Sequence, residues 1–155
     1  MMTSDHRKIA IVGGGPVGLA ALAHCIENEL DAELFEAAAD VAHAMRQWGH
    51  VRMFSPASWN LDRASIRMLR ETGWSPSQLP VYVTGNELIE RYLEPLATMP
   101  RLCERIKLEH RVTRVERHSG GGYRLDLDGC ESRVADLVID ASGTWFNPRQ
   151  ISVFD

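Results

Sequence analysis

Three glycines with the spacing G-x-G-x-x-G lie near the start of the chain, in the segment Gly13-Gly-Gly-Pro-Val-Gly18. Each fixed glycine meets a geometric requirement of a strand that turns sharply into a helix. Gly13 permits the turn, Gly15 lets a phosphate group approach the backbone closely, and Gly18 lets the helix pack closely against the strand. The spacing therefore predicts a strand, a tight turn and a helix, in that order.

The residues on either side of the motif have the patterns that such a unit needs. Lys8–Val12 is a short run rich in β-branched residues, which predicts a buried parallel strand. From Pro16 to about Leu30 apolar residues recur at helical spacing, and proline suits the first helical position because an N–H there has no intrahelical partner. Ala32–Glu36 predicts a second strand. Two parallel strands joined through one helix form a right-handed βαβ unit.

The predicted helix would begin with Pro16 and Val17, next to the glycine turn. Unpaired N–H groups and the positive end of the helix dipole favour a pyrophosphate at this point. Glu36, at the end of the second strand, is placed to accept hydrogen bonds from a ribose diol, and its carboxylate would repel a 2′-phosphate. The motif in this context predicts dinucleotide binding. FAD and NAD share the adenosine diphosphate half, so these residues leave the choice open, and a glycine turn that binds nothing is the alternative.

The middle of the chain has weaker signals. Trp48–Pro56 shows no periodic pattern, and we expect an irregular segment there. A helix that begins at Thr84 is indicated by capping-box spacing between Thr84 and Glu87, and we expect Pro95 to kink or end it. Two further helices are expected over Val41–Gln47 and Asp62–Thr72.

The last third changes to short alternating segments separated by glycines. Three antiparallel strands are expected, over Leu108–Arg117, Tyr123–Leu127 and Ser132–Ala135. Leu137–Ala141 resembles the first strand and ends at Ser142-Gly143, which predicts a third parallel strand that returns to the first sheet. The predicted fold class is α/β, a Rossmann-like parallel sheet with a βαβ dinucleotide-binding unit and an inserted antiparallel β-meander.

Composition sets the remaining bounds. A chain of 155 residues with 45% hydrophobic content suits one domain with one core. Its net charge of −4 provides no general attraction to nucleic acid or to an anionic membrane. The cysteines and histidines show no metal-ligand or redox spacing, so we expect no metal site. Without a signal peptide pattern or a long apolar run, a soluble cytoplasmic protein is expected.

Two segments carry a family resemblance. Lys8–Leu19 resembles the start of FAD-dependent oxidoreductases, in which proline commonly follows the second motif glycine. Asp136–Thr144, followed by Asn147-Pro148, is similar to a segment of the flavin-containing monooxygenase and pyridine nucleotide-disulfide reductase group, where it follows a β-meander. The resemblance covers nearly the whole chain in order, and it implies FAD as the cofactor.

The resemblance also implies roles for individual residues. The motif glycines would face the FAD pyrophosphate, with Pro16 and Val17 between them. Glu36 would bind the adenosine ribose. The other implied cofactor contacts are backbone atoms at Val112 for the adenine, Gly143 near the cofactor, and Trp48 near the flavin, where a plain core aromatic is the alternative.

The sequence departs from that group in two ways. It lacks a Cys-x4-Cys pair, which disfavours the disulfide reductases, and no second glycine motif for NADPH precedes Asp155. We therefore expect the FAD-binding N-terminal portion of a longer, monooxygenase-like NAD(P)H-dependent oxidoreductase, with NADPH bound only in the complete protein. The alternatives are an NAD-binding regulatory module without catalysis and a degenerate domain that serves as an interaction surface. The substrate, the catalytic residues and the oligomeric state, a homo-oligomer included, stay open.

Overall fold

The computed structural model describes residues 7–129 and 132–146. This part of the chain contains seven strands: β1 (Lys8–Val12), β2 (Asp31–Phe35), β3 (Ile106–Lys107), β4 (Val112–Arg117), β5 (Tyr123–Leu127), β6 (Arg133–Ala135) and β7 (Leu137–Asp140). Its α-helices are α1 (Pro16–Glu27), α2 (His43–Arg46), α3 (Arg63–Arg70), α4 (Gly85–Leu88), α5 (Glu94–Ala97) and α6 (Pro100–Cys103), and short 3-10 turns lie at Ala57–Asn60 and Pro76–Gln78.

A four-stranded parallel sheet in the order β3-β2-β1-β7 forms the centre of the fold. In its middle, Ile11 of β1 pairs with Leu34 on one side and Ile139 on the other. Ile11 and Leu34 are fully buried together with Leu19 and Leu22 of α1. The helix covers this face because its apolar residues recur on one side, and the predicted βαβ unit is confirmed.

An antiparallel sheet in the order β4-β5-β6 covers the other face of the parallel sheet. Ala10 and Phe35 point away from α1 and form a second apolar cluster with Leu125, Leu127 and Ala135. Successive strand residues alternate between faces, so β1 and β2 supply side chains to both clusters. The predicted fold class, including the inserted meander, is confirmed.

The first meander strand is shorter than expected. It begins at Val112 rather than Leu108, because the chain turns at Glu109, where φ is +58°. The N–H groups of Glu109 and His110 donate to the carbonyl oxygens of Ala38 and Glu36, at 2.9 and 2.8 Å. These contacts hold the segment before β4 against the end of β2, so it cannot join the meander.

The helix that begins after Thr84 has the expected capping box with Glu87. Pro95 does not end it, and the helix continues through a π-helical turn over Ile89–Leu93 into α5. A proline cannot donate to the carbonyl four residues earlier, which here belongs to Arg91. The indole Nε1 of Trp74 donates to that carbonyl at 2.7 Å instead. This tertiary hydrogen bond supplies the Arg91 carbonyl with a donor that Pro95 lacks. The sequence pattern does not reveal the contact.

The end of the described chain returns to the central sheet as predicted. β7 pairs in parallel with β1, and the N–H of Ala141 donates to the carbonyl of Val12 at 2.8 Å. None of the helices in residues 7–129 and 132–146 combines the length and apolar character of a membrane span.

Candidate dinucleotide-binding site

The three motif glycines lie at the carboxyl end of β1, and each has a different environment. Gly13 has φ of +104°, and a β-carbon there would lie 2.6 Å from the carbonyl oxygen of Ala141. A β-carbon on Gly18 would lie 1.9 Å from the carbonyl oxygen of Gly13. A β-carbon on Gly15 would meet no atom within 4 Å. Gly13 and Gly18 are therefore required for packing, while Gly15 exposes backbone to open space at the end of the sheet.

The N-terminus of α1 opens beside Gly15. Gly15 caps the helix with extended backbone and no side-chain acceptor, and Pro16 follows as the first helical residue. The first turn holds no acidic residue, and Val17 is 68% exposed. The N–H groups of a first helical turn have no intrahelical acceptors, and the dipole is positive at this end. The arrangement suits a phosphate group, as the sequence predicts.

Glu36 lies one residue beyond β2 and faces the glycine turn. Its Oε2 accepts a hydrogen bond from the N–H of Gly14 at 2.6 Å, and its Oε1 accepts from the N–H of Ala38 at 2.9 Å. An ionised carboxylate offers about four acceptor positions, so roughly two are left for a ligand hydroxyl. Glu36 thus fastens the glycine turn to the end of β2 and keeps capacity for a diol.

The segment between β2 and α2 supplies a second attachment for the glycine turn. The N–H of Ala42 donates to the carbonyl of Gly14 at 2.9 Å. Ala42 is buried and left-handed, with φ of +57°, an uncommon conformation for alanine. Both backbone groups of Gly14 are therefore engaged. The sequence predicts no role for Gly14 or Ala42, because an alanine carries no local signal for a positive φ.

The segment after β7 lies at the same edge of the sheet. Asp140 accepts hydrogen bonds from the hydroxyl and the N–H of Ser142, which hold the pKa of the Asp140 carboxyl below its usual value. Gly143 follows with φ of +70° and open space around it. The ring of Phe146, which is 67% exposed, lies 5.9 Å from the ring of His43 in α2. One surface at the carboxyl end of the sheet is thus bordered by the glycine turn, α2 and residues 142–146.

Trp48 and Val112 are the remaining predicted site residues within the described chain. Trp48 is half-buried against the main core, and a β-carbon on Gly85 would approach its ring to 3.2 Å. The described contacts of its side chain are packing contacts, and its proximity to a flavin stays a prediction. Val112 begins β4, two residues after His110, which binds the Glu36 carbonyl. Asn147 and Pro148 lie outside the described residues.

Residues 7–129 and 132–146 contain no group of three or more His, Cys, Asp or Glu side chains that could hold a metal ion. The site consists instead of backbone donors, one carboxylate and a helix N-terminus at the carboxyl end of a parallel sheet. A βαβ unit with these three glycines and an acidic residue after its second strand defines a dinucleotide-binding domain of the Rossmann type.

Comparison with known families agrees with this class. The family described as pyridine nucleotide-disulphide oxidoreductase matches residues 10–154, and the chain belongs to that family. Flavoprotein oxidoreductases and monooxygenases are found among the proteins it resembles, as its sequence predicts.

Individual relatives are much longer than this chain. It is 30% identical over 144 residues to ferredoxin–NADP reductase 1 of Bacillus velezensis, covering 92% of this chain and 36% of the relative. It is 28% identical over 153 residues to flavin-containing monooxygenase 3 of Rattus norvegicus, covering 92% of this chain and 29% of the relative. An oxidized steroid monooxygenase bound to NADP superposes with a TM-score of 0.70 and 25% identity, covering 87% of this chain and 26% of that one. The chain spans about a third of the length of these curated relatives.

Proposed function

We propose that the chain is the FAD-binding portion of an NAD(P)H-dependent flavoprotein oxidoreductase of the monooxygenase-like group. The observation that carries this proposal is the open backbone at Gly15 beside the uncapped N-terminus of α1. A cofactor pyrophosphate would approach there, because a β-carbon on Gly15 would meet no described atom within 4 Å and N–H donors and the helix dipole face this point. Glu36 retains acceptor capacity for the adenosine ribose.

The choice of FAD over NAD is supported by the relatives. One curated relative is named as flavin-containing, and the matching family is a family of oxidoreductases. The part of each relative outside the match is about twice as long as the matched part. An NADPH site and the rest of an active site would lie there. Efficient turnover is therefore expected only from a protein that includes those parts.

The residues of this chain would bind and orient the cofactor. The first turn of α1 would bind the pyrophosphate, and Glu36 the ribose, while backbone atoms near Val112 would contact the adenine. When bound, the isoalloxazine ring supplies the electron transfer. Gly13 and Gly18 would act indirectly, by allowing the turn and the close packing of α1 that bring these groups together.

An NAD-binding regulatory module is the second candidate, because the same surface suits any adenosine diphosphate half. Ligand titration of the 155-residue chain separates the two. We expect FAD and ADP to bind, each quenching tryptophan fluorescence or raising the melting temperature, and FMN not to bind because it lacks the adenosine half. Thermal stabilisation by NAD⁺ together with no binding of FAD would overturn the proposal and favour the regulatory module.

A further inference from the structure

Arg46, at the end of α2, joins two separate parts of the fold through one guanidinium. Its Nη2 donates to Oε1 of Glu94 at 2.9 Å, and its Nε lies 2.7 Å from Oδ2 of Asp40. The second contact is an ion pair rather than a well-aligned hydrogen bond. Nη2 also lies 3.3 Å from the carbonyl oxygen of Val41. The side chain is 31% exposed, so these contacts are partly shielded from water.

The contacts of Arg46 converge on the segment that holds the glycine turn. Asp40 and Val41 directly precede Ala42, whose N–H donates to the Gly14 carbonyl. A buried alanine with positive φ persists only where its surroundings impose that conformation. The guanidinium does so from one side, by tying Asp40 to Glu94, a residue 48 positions after Arg46 in the chain.

The same chain of contacts reaches the ligand surface. Gly14 is bound by Ala42 through its carbonyl and by Glu36 through its N–H, and Gly15 follows directly. A change in the Asp40–Ala42 segment would therefore shift the backbone on which a pyrophosphate would rest, although the hydrogen bonds and ion pairs described for Arg46 do not include Gly14 or Gly15. Loop geometry of this kind controls affinity because a bound ligand needs its donors already in place.

We propose that Arg46 is a positioning residue for the cofactor-binding turn, acting with Glu94 through Asp40 and Ala42. This inference rests on the proposed function, since the ligand it concerns is the pyrophosphate of FAD. The arginine fork suits this task, because it can bind two carboxylates from separate elements at once, whereas a lysine presents a single compact charge.

The test compares Arg46→Met with Arg67→Met. Arg67 forms a bidentate ion pair with the single carboxylate of Glu27 at the far end of α1, about 18 Å from Gly15 by helix rise. We expect Arg46→Met to raise the dissociation constants of FAD and ADP by the same factor, about tenfold, because both ligands carry the pyrophosphate. Arg67→Met should leave both constants within about twofold of the original chain. Equal effects of the two substitutions would overturn the proposal.

A second pair of variants guards against misfolding at Arg46. Glu94→Ala removes the distant end of the bridge and keeps the Asp40 contact, and Glu90→Ala, exposed on the same continuous helix, is its control. We expect Glu94→Ala to weaken the binding of FAD and Glu90→Ala to leave it unchanged. In the Arg46→Met background, Glu94→Ala should add little to the loss of FAD affinity. Additive effects of Arg46→Met and Glu94→Ala would contradict a shared route.

Amide hydrogen exchange without ligand separates this inference from the proposed function. Arg46→Met should speed exchange of the Ala42 N–H, which donates to Gly14, and leave exchange in β1 unchanged. If the original chain does not bind FAD, the proposed function fails. The exchange rate of the Ala42 N–H still tests whether Arg46 holds the segment that binds Gly14. Unchanged exchange at Ala42 would overturn the positioning role.

Discussion

The carbonyl oxygen of Gly13 lies 1.9 Å from the position that a β-carbon on Gly18 would take. No side chain can be accommodated at that distance, and the obstacle is backbone of the turn itself rather than a flexible side chain. The first and third motif glycines are therefore one packing unit: the turn at Gly13 places its carbonyl against the first turn of α1. Gly15, between them, belongs to no such contact.

The first prediction concerns Gly18→Ala. The added methyl group would push α1 away from β1, and overpacking of this kind lowers the free energy of unfolding by about 1–3 kcal/mol or more. Urea denaturation followed by far-UV circular dichroism measures the change. A variant as stable as the original chain would show that the turn relaxes without loss.

Gly15→Ala is the matched comparison, with the opposite expectation. The backbone of Gly15 is extended, with φ of −77°, and its β-carbon would meet nothing, so stability should be unchanged or raised by up to about 1 kcal/mol. FAD affinity should fall at least about tenfold, since the methyl group would stand where the pyrophosphate approaches. Unchanged FAD binding in a folded Gly15→Ala protein would place the cofactor elsewhere.

Glu36→Ala should destabilise the chain even without a ligand. The substitution leaves the N–H groups of Gly14 and Ala38 without their acceptors, and a lost partner of this kind costs about 1–3 kcal/mol. Glu33→Ala, which removes a carboxylate 3.6 Å from Lys107 at the surface, is the control and should cost less than about 1 kcal/mol. Equal thermal unfolding of the two variants would mean that Glu36 does not fasten the turn.

Trp74→Phe should destabilise the helical layer. It removes the donor to the Arg91 carbonyl, which Pro95 cannot replace, at a cost of about 1–3 kcal/mol. Adding Pro95→Ala restores a backbone N–H four residues after Arg91 and should recover part of the loss. Trp59→Phe, at a site 78% exposed, is the control for removing an indole. Chemical denaturation of the four proteins measures these differences, and a double variant no better than Trp74→Phe would contradict the explanation.

Asp62 makes stability depend on pH. Burial favours a higher pKa, but hydrogen bonds from Ser65 and His24 outweigh it and hold the pKa of the Asp62 carboxyl below its usual value. A carboxyl whose pKa is lower in the folded state stabilises the fold above its unfolded pKa of about 3.9, and this contribution is lost as the pH falls through the folded pKa. We expect the stability advantage over Asp62→Asn, which keeps an N-cap residue, to be full above about pH 5 and to vanish at lower pH.

Urea denaturation at a series of pH values from 7 downward measures the Asp62 effect. Asp126→Asn, on the meander and paired with Arg124, controls for the removal of one negative charge. A constant difference between the original chain and Asp62→Asn across this range would refute the assignment.

The elements of the site that lie close together in sequence could be predicted without the structure. Backbone sterics and strand-helix periodicity decide the conformation where neighbouring residues interact. This holds for the run Lys8–Val12, for the motif glycines and for the strand that ends before Glu36. The predicted strand over Leu108–Arg117 was wrong at its first residues because a contact between distant segments decides the conformation there. His110 binds the carbonyl of Glu36, and a pairing between segments so far apart leaves no local pattern.

Sequence alone thus determined the βαβ unit, the need for glycine at positions 13 and 18 and the position of the acidic residue, because each follows from the local geometry of one strand, one turn and one helix. Only the tertiary structure decided what holds the glycine turn in place. Ala42 adopts its positive φ, and Arg46 joins Asp40 to Glu94, through contacts between segments that only folding brings together. Such contacts have no periodicity, since they depend on how packed layers meet in space.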